Sequence, residues 1–316
     1  MEEFEREYPE KPEMVKSSAK RGHISVTILS MIIFAITFSF ILDDYFLIAA
    51  LLGVLLFHEL GHFALMKLFG YEHLNMLFIP FIGAMVSGRK KIYSQVESSL
   101  MVLAGPLPGI ILGAFLLLYD AGSMNHFSIQ IGVLLIFLNV LNLLPIDPLD
   151  GGQLVKIIYS NYELAQVIIL LITSLALAGI GLWMNSWLLI IFGLFLGFRI
   201  KSNHKLYLIR KEMRDLEIEY ESNYEDLSNE SYADIKSIII DHTPVLNELK
   251  EHNEEDKYNQ IVAKQVENVL FPPTDRDASP GHKFIFGLLW IGGITISIYA
   301  LYSIDLNSII HAFQDR

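Results

Sequence analysis

The sequence predicts an all-α, polytopic membrane protein with about seven transmembrane helices and a small helical module outside the membrane. Of its 316 residues, 53% are hydrophobic and only 18% are charged, and the mean hydropathy is +0.43. This composition is typical of integral membrane proteins. Apolar runs long enough to cross a bilayer recur along the chain. The chain has no cysteine, which excludes disulfides and thiolate metal sites.

The amino-terminal region contains a polar tail and two predicted spans. Residues 1–23 hold six acidic and five basic residues, so we expect a solvated cytosolic tail rather than a cleavable signal peptide. The first span covers residues 24–42 and the second covers residues 46–69. A very short hairpin at Asp43 and Asp44 joins them.

Residues 76–86 form a short apolar run that is interrupted by Pro80 and Gly83 and is followed by three basic residues. A run of this length, with these helix breakers, suits a re-entrant or surface-lying segment better than a full crossing.

The remaining spans lie on both sides of a long polar region. Single spans are predicted at residues 98–118, 129–144 and 283–302. The apolar run 162–198 is divided near Met184-Asn185-Ser186, which suggests a fifth and a shorter sixth span. The predicted membrane domain is therefore 24–200, and residues 283–316 form a last span with a short tail.

The distribution of basic residues predicts the orientation, because lysine and arginine are enriched in cytoplasmic loops. With the amino terminus inside and seven crossings, 22 of the 23 lysine and arginine residues lie on the cytosolic side. The inner end of the second span is then also cytosolic.

Residues 201–282 are predicted to form a cytosolic, helical module. Ser231 and Asp234 match a capping box, and Thr243-Pro244 matches a helix start. A partly ordered linker is the open alternative. Residues 199–283 carry a net charge of −6, which argues against nucleic acid as a partner. The module is where we expect any regulatory partner to bind.

The motif His58-Glu59-Leu60-Gly61-His62 lies in the second span. Residues four apart share one face of a helix, so His58 and His62 can bind one metal ion while Glu59 serves as a general base. Each ionisable group at mid-bilayer costs roughly 2 to 3 kcal/mol, and such groups usually mark a function. The plain alternative is two interfacial histidines with Glu59 in an ion pair.

A third metal ligand is expected just after the predicted span at 129–144. The following residues contain two prolines and two glycines, which favour a non-helical segment. Asp150 lies there at a comparable membrane depth and is the candidate ligand. Capping of the next helix is the alternative role for Asp150. Asp147 is a second carboxylate, either a partner of the ligands or the ligand in place of Asp150.

Two motifs in this order resemble the site-2 protease family of intramembrane zinc metalloproteases. The first is the His-Glu-x-x-His helix at residues 58–62. The second, two spans later, is Asn142-x-x-Pro145-x-x-x-x-Asp150-Gly151. The resemblance covers about residues 42–158. Gly105-Pro106-Leu107 also matches a family element, but Pro108 departs from it, and we assign no catalytic role there.

The resemblance implies a three-helix catalytic core that hydrolyses peptide bonds. It implies a Zn²⁺ ion held by His58, His62 and Asp150, with Glu59 as general base. Asn142 is implied to position or stabilise the reacting carbonyl.

The resemblance also implies how the substrate is bound, which class of substrate is cleaved and in which membrane. Residues 76–86 are similar to the family's re-entrant hairpin, which guides an extended substrate strand. The expected substrate is a membrane protein, such as a single-span helix, within the lipid bilayer. The expected location is a plasma or inner membrane, with the active site toward the cytosol.

Two other classes of function are open on the sequence. A metal or proton transporter also uses intramembrane histidine and aspartate, but it does not explain a glutamate beside the first histidine. A catalytically silent membrane scaffold often loses a motif residue, whereas this chain keeps all of them.

Overall fold

The computed structural model describes residues 8–14, 24–81, 83–120, 126–158, 162–252 and 255–314. Helices make up 73% of the structure. The chain divides into two compact units, unit I with residues 19–160 and 276–316 and unit II with residues 1–18 and 161–275. In chain order the elements are α1 Ile24–Ser39, α2 Tyr45–Leu68, β1 Glu72–Ile79, β2 Gly83–Arg89, β3 Tyr93–Ser94, α3 Gln95–Ala104, α4 Pro106–Asp120, α5 His126–Asn142, α6 Asp150–Ile158, α7 Tyr162–Trp183, α8 Trp187–Asp215, α9 Asn229–Asp241, α10 Val245–His252, α11 Glu255–Val269, β4 Thr274–Asp275, α12 Pro280–Tyr302 and α13 Leu306–Gln314.

Helix α2 begins directly after the short link that the sequence predicts. Asp44 is its N-cap, and its Oδ1 atom accepts hydrogen bonds from the amides of Phe46 at 2.8 Å and Leu47 at 3.1 Å. These bonds satisfy amides that have no partner within the helix. The helix then runs without a break through the whole histidine motif.

Residues 76–86 form most of a β-hairpin. Strands β1 and β2 are antiparallel, with Met76 opposite Val86. Helix α1 contacts β1 through two hydroxyl groups: Thr27 donates to the Met76 carbonyl at 2.8 Å, and Ser30 accepts from the Phe78 amide at 3.1 Å. The sequence predicted a re-entrant or surface-lying segment here, and its depth in the membrane stays a prediction.

Helices α3 and α4 form one apolar stretch that is interrupted at Gly105. The start of α3 is held by Asp277, which accepts hydrogen bonds from the Ser94 hydroxyl at 2.6 Å and the Val96 amide at 3.1 Å. Burial raises the pKa of the Asp277 carboxyl, but these hydrogen bonds outweigh it and hold the pKa below its usual value. The segment before α12 therefore caps a helix of the core.

Helix α12 packs into the core of unit I although it follows the rest of that unit by more than 100 residues. One buried cluster joins it to α3, α4 and the segment that leads into α6. Its members are Val102, Leu103, Ile110, Leu143, Leu154 and Phe286. The predicted three-helix core is thus extended by a fourth helix.

Four helical stretches of the described residues are long and apolar enough to cross a membrane, one of them made of α3 and α4 together. These stretches are Tyr45–Leu68, Gln95–Tyr119, Glu163–Trp183 and Pro280–Tyr302. Helices α1 and α5 are apolar but have only 16 and 17 residues. The chain is therefore a multi-pass membrane protein, whereas seven crossings stay a prediction. Helix α8 runs through the predicted domain boundary at residue 200 without a break.

Unit II contains helices where the sequence predicts a helical module. Its core includes Ile235, Val262 and Val266, all fully buried. Residues 8–14 of the predicted tail belong to this unit. The Lys11 ammonium donates to three backbone carbonyls, including that of Tyr224 at 2.7 Å, and burial lowers its pKa. This part of the tail is packed rather than fully solvated.

Candidate metal centre

Three metal-ligating side chains converge in unit I. His58 and His62 lie one turn apart on α2, and Asp150 is the first residue of α6. The two Nε2 atoms are 3.1 Å apart, and the Asp150 Oδ2 atom lies 3.1 Å from that of His58 and 3.3 Å from that of His62. His58 is 4% and Asp150 6% exposed. The two motifs therefore meet at one buried point.

Asn139 on α5 sets the tautomer of His58. Its Oδ1 atom lies 2.7 Å from His58 Nδ1, and its Nδ2 atom donates to the Leu135 carbonyl at 2.7 Å. The second bond fixes the orientation of the amide, so Oδ1 is the atom that faces the histidine and accepts a hydrogen bond from its Nδ1–H group. The His58 Nε2 atom consequently carries a lone pair and can bind a metal.

The Met101 carbonyl on α3 orients His62 in the same way. It lies 2.8 Å from His62 Nδ1, and a carbonyl can only accept a hydrogen bond. The proton is therefore on Nδ1, and the Nε2 lone pair of His62 also faces the cluster. Outer partners of this kind are usual for metal-binding histidines.

The donor set fits a zinc ion. Three lone-pair atoms face one another, and no hydrogen-bond donor reaches the Asp150 Oδ2 atom within the described residues. A cation at the centre of this group would offset the repulsion between the lone pairs. Zinc bonds of about 2.0 to 2.1 Å in a tetrahedron give ligand–ligand distances of about 3.3 Å. The observed distances of 3.1 to 3.3 Å agree with that geometry.

Glu59 lies beside the cluster but is not one of its three donors. It follows His58 on α2 and is only 4% exposed. The backbone amide of Val86 on β2 interacts with its carboxylate. Glu59 is thus a buried carboxylate between the candidate metal ligands and the hairpin.

Two glycines let α4 and its junction with α3 approach the site closely. A Cβ atom at Gly105 would overlap the His62 ring and come within 2.9 Å of His58 Nε2. A Cβ atom at Gly109, one turn further on, would overlap the Asn139 amide. Gly105 therefore leaves room for the candidate ligand His62, and Gly109 leaves room for Asn139, the partner of His58.

The other two candidate residues have different contacts. The Asn142 Nδ2 atom donates to the Leu138 carbonyl of its own helix at 3.1 Å, and the side chain is half-buried. Asp147 pairs with Lys156, whose Nζ atom is 2.5 Å from its Oδ1 atom. Asp150 rather than Asp147 therefore joins the donor group.

Asn139 was not among the site residues predicted from the sequence. The available signal was a polar side chain within an apolar run, which is expensive in a membrane unless it has a partner. Asn139 is completely buried and finds that partner in His58, 81 residues earlier.

A buried His-His-Asp cluster with a glutamate beside it defines a candidate zinc centre. The chain is 30% identical to Stage IV sporulation protein FB of Bacillus subtilis over 158 residues, which covers 45% of the chain and 54% of that protein. It is 32% identical to Zinc metalloprotease MJ0392 of Methanocaldococcus jannaschii over 123 residues, which covers 35% of each.

Both relatives are members of the site-2 protease family, so the resemblance to that family is confirmed at modest identity over this part of the chain. The chain matches about half of the first relative's length and about a third of the second's. No protein-family model matches the chain.

Proposed function

We propose that this protein is an intramembrane zinc metalloprotease that hydrolyses peptide bonds of membrane-spanning proteins. The observation that carries the proposal is the group of three lone-pair atoms, from His58, His62 and Asp150, at tetrahedral ligand spacing inside a multi-pass membrane protein. The similarity to two site-2 protease family members supports it.

His58, His62 and Asp150 would hold the zinc ion. A bound zinc ion supplies Lewis acidity, which polarises a peptide carbonyl and makes water more acidic. Asn139 and the Met101 carbonyl keep both histidines in the tautomer that binds a metal.

Glu59 is the proposed general base. Its carboxylate accepts the proton of the attacking water as the oxygen bonds to the carbonyl carbon, and it then delivers that proton to the leaving amine nitrogen when the C–N bond breaks. Asn142 is the proposed side chain that positions the reacting carbonyl.

The hairpin is the proposed guide for the substrate. A substrate helix hides its carbonyls in internal hydrogen bonds, so it must unwind before it can react. Strand β2 lies beside Glu59 at Val86. An extended substrate segment that pairs with β2 would pass the general base, which is recognition by strand addition. A single-span membrane protein suits this arrangement.

The orientation is a further part of the proposal. The basic residues favour a plasma or inner membrane, with the amino terminus and the zinc centre toward the cytosol. In that topology the region 201–282 faces the cytosol and is available to a regulatory partner.

Replacing Glu59 with glutamine tests the function. The full chain is reconstituted in liposomes with a panel of single-span proteins, and the products are identified by mass spectrometry. We expect Glu59→Gln to keep its zinc and to cleave at least about 100-fold more slowly than the wild type. Glutamine has the same shape but cannot take up the proton.

Three results would contradict the proposal in different ways. Cleavage by Glu59→Gln at the wild-type rate removes this residue from the role of base. Zinc binding by the wild type without cleavage of any panel member favours the silent scaffold. Ion flux across the liposomes without cleavage favours the transporter.

A further inference from the structure

Helix α12 contacts the segment that leads to Asp150 through the indole of Trp290. The Trp290 Nε1 atom donates a hydrogen bond to the Leu143 carbonyl at 2.7 Å. Leu143 follows directly after α5, and the last carbonyls of a helix lack partners within it. Leu143 is completely buried, so water does not supply the missing donor. Trp290 supplies it from a helix that follows Leu143 by 147 residues.

The same carbonyl lies against the residue next to Asp150. A Cβ atom at Gly151 would overlap the Leu143 carbonyl. The two ends of the segment between α5 and α6 therefore meet at this carbonyl. Trp290 holds it on one side, and the backbone of Gly151 contacts it on the other. A shift of the Leu143 carbonyl toward Gly151 would displace Gly151, and Asp150 with it.

Packing around Trp290 limits such a shift. Phe286, one turn earlier on α12, is 3% exposed and lies in one cluster with Leu143 and Leu154. A Cβ atom at Gly293 would come within 3.2 Å of the Leu143 side chain. Leu154 is one turn after Asp150 on α6. Helix α12 thus contacts the segment before Asp150, and it shares a buried cluster with the helix that Asp150 begins.

We propose that Trp290 is a positioning residue of the metal centre, which holds Asp150 at ligand distance from the two histidines. The inference rests on the proposed zinc site. It makes α12, which lies outside the predicted three-helix core, a functional part of that site. Trp290 acts through the Leu143 carbonyl and does not touch the reacting atoms.

The test compares Trp290→Phe with the wild type in the full detergent-purified chain. Phenylalanine keeps an aromatic ring and removes the N–H donor. Zinc affinity is measured by competition with a chromophoric chelator, and the ligand geometry is read from the visible absorption of the Co²⁺-loaded protein. Trp183→Phe is the matched control, since Trp183 is 83% exposed and lies in unit II.

We expect Trp290→Phe to lower zinc affinity by roughly 10-fold to 100-fold and to change the Co²⁺ absorption bands. Trp183→Phe should match the wild type in both measurements. Gly151→Ala should change the Co²⁺ spectrum as well, because it pushes the same carbonyl from the other side. If Trp290→Phe does not fold, an unchanged Co²⁺ spectrum in Gly151→Ala would overturn the inference, because the Leu143 carbonyl would then not be coupled to Asp150.

Wild-type zinc affinity and an unchanged Co²⁺ spectrum in Trp290→Phe would overturn the inference and leave the proposed function in place. A lower melting temperature with an unchanged spectrum would also overturn it, because Trp290 would then only stabilise the fold. A wild-type chain that binds no zinc would remove the proposed function and the inference together.

Discussion

At the residue scale, the two histidines depend on partners that are distant in the sequence. His58 is 81 residues from Asn139, and His62 is 39 residues from Met101. Each partner accepts a hydrogen bond from the Nδ1–H group of its histidine, so the Nε2 lone pair is left for a metal. Such partners fix the tautomer and the ring orientation, and their loss weakens metal binding although every ligand is still present.

Asn139→Leu tests the partner of His58. Leucine has a similar size but cannot accept the Nδ1 proton, so His58 is free to change its tautomer and to rotate. We expect zinc affinity to fall by about 10-fold to 100-fold, as measured by chelator competition.

Asn142→Leu is the matched control for that measurement, because the Asn142 amide bonds within its own helix. It should keep the zinc affinity and reduce the rate of cleavage. Wild-type affinity in Asn139→Leu would show that Asn139 does not orient the ligand.

Gly105→Ala tests the space beside the ligands. The new methyl group would overlap the His62 ring and lie close to the His58 ring. Because the backbone fixes the position of the methyl group, the histidine rings must move. We expect most of the bound zinc to be lost. Gly53→Ala, also in unit I, is the control, because nothing lies within 4 Å of a Cβ atom there. Zinc retention by Gly105→Ala equal to that of Gly53→Ala would contradict this geometry.

The three candidate ligands could be selected from the sequence for a physical reason. The His58–His62 spacing is a local property of one helix, and the segment around Asp150 is marked by prolines and glycines. Asn139 carried only the weak signal of a polar residue in an apolar run. Its role requires the packing of α5 against α2, which local sequence does not encode.

At the element scale, the structure of the apolar run at residues 76–86 was predicted only in part from its sequence. Its length and its breakers correctly argued against a crossing helix. They did not reveal the strand pairing, because the run lacks a clear polar–apolar alternation. Positive φ angles at Phe81 and Gly83 reverse the chain, and hydroxyl groups of α1 contact the first strand. The latter contacts join elements that are about 50 residues apart.

Unit II contains a buried ion pair that joins α7, α8 and the end of α11. The Arg210 Nη1 atom lies 3.4 Å from Glu163 Oε1, and the guanidinium donates to the carbonyls of Val269 and Leu270 at 3.1 Å. Arg210 is 4% and Glu163 5% exposed. Neither residue was predicted from the sequence to form a pair, because 47 residues separate them along the chain.

Arg210→Met tests the contribution of this pair to the stability of unit II. The substitution leaves the Glu163 carboxylate buried without its main partner, so we expect a loss of about 3 to 5 kcal/mol. Native-state hydrogen exchange of α8 and α11 in the full chain measures it. Lys250→Met on the exposed face of α10 is the control and should change stability by less than about 0.5 kcal/mol. Equal exchange in the two variants would contradict the expectation.

At the scale of the whole molecule, the candidate zinc centre is assembled from distant parts of the chain. Helices α2 and α6 supply the donors, α3 and α5 orient the histidines, and α12 supports the segment before Asp150. Composition and apolar runs predicted the membrane class, because each span is a local property. They did not predict the place of α12, because packing between spans depends on contacts rather than on hydropathy.

Zinc content of the full, detergent-purified chain tests the central claim most directly. The metal is measured by inductively coupled plasma mass spectrometry in the wild type, Asp150→Ala and Asp147→Ala. The geometry predicts about one zinc ion per chain in the wild type and in Asp147→Ala, and little or none in Asp150→Ala. Loss of zinc with Asp147→Ala alone, or a wild type that stays free of zinc after reconstitution with the metal, would contradict the account.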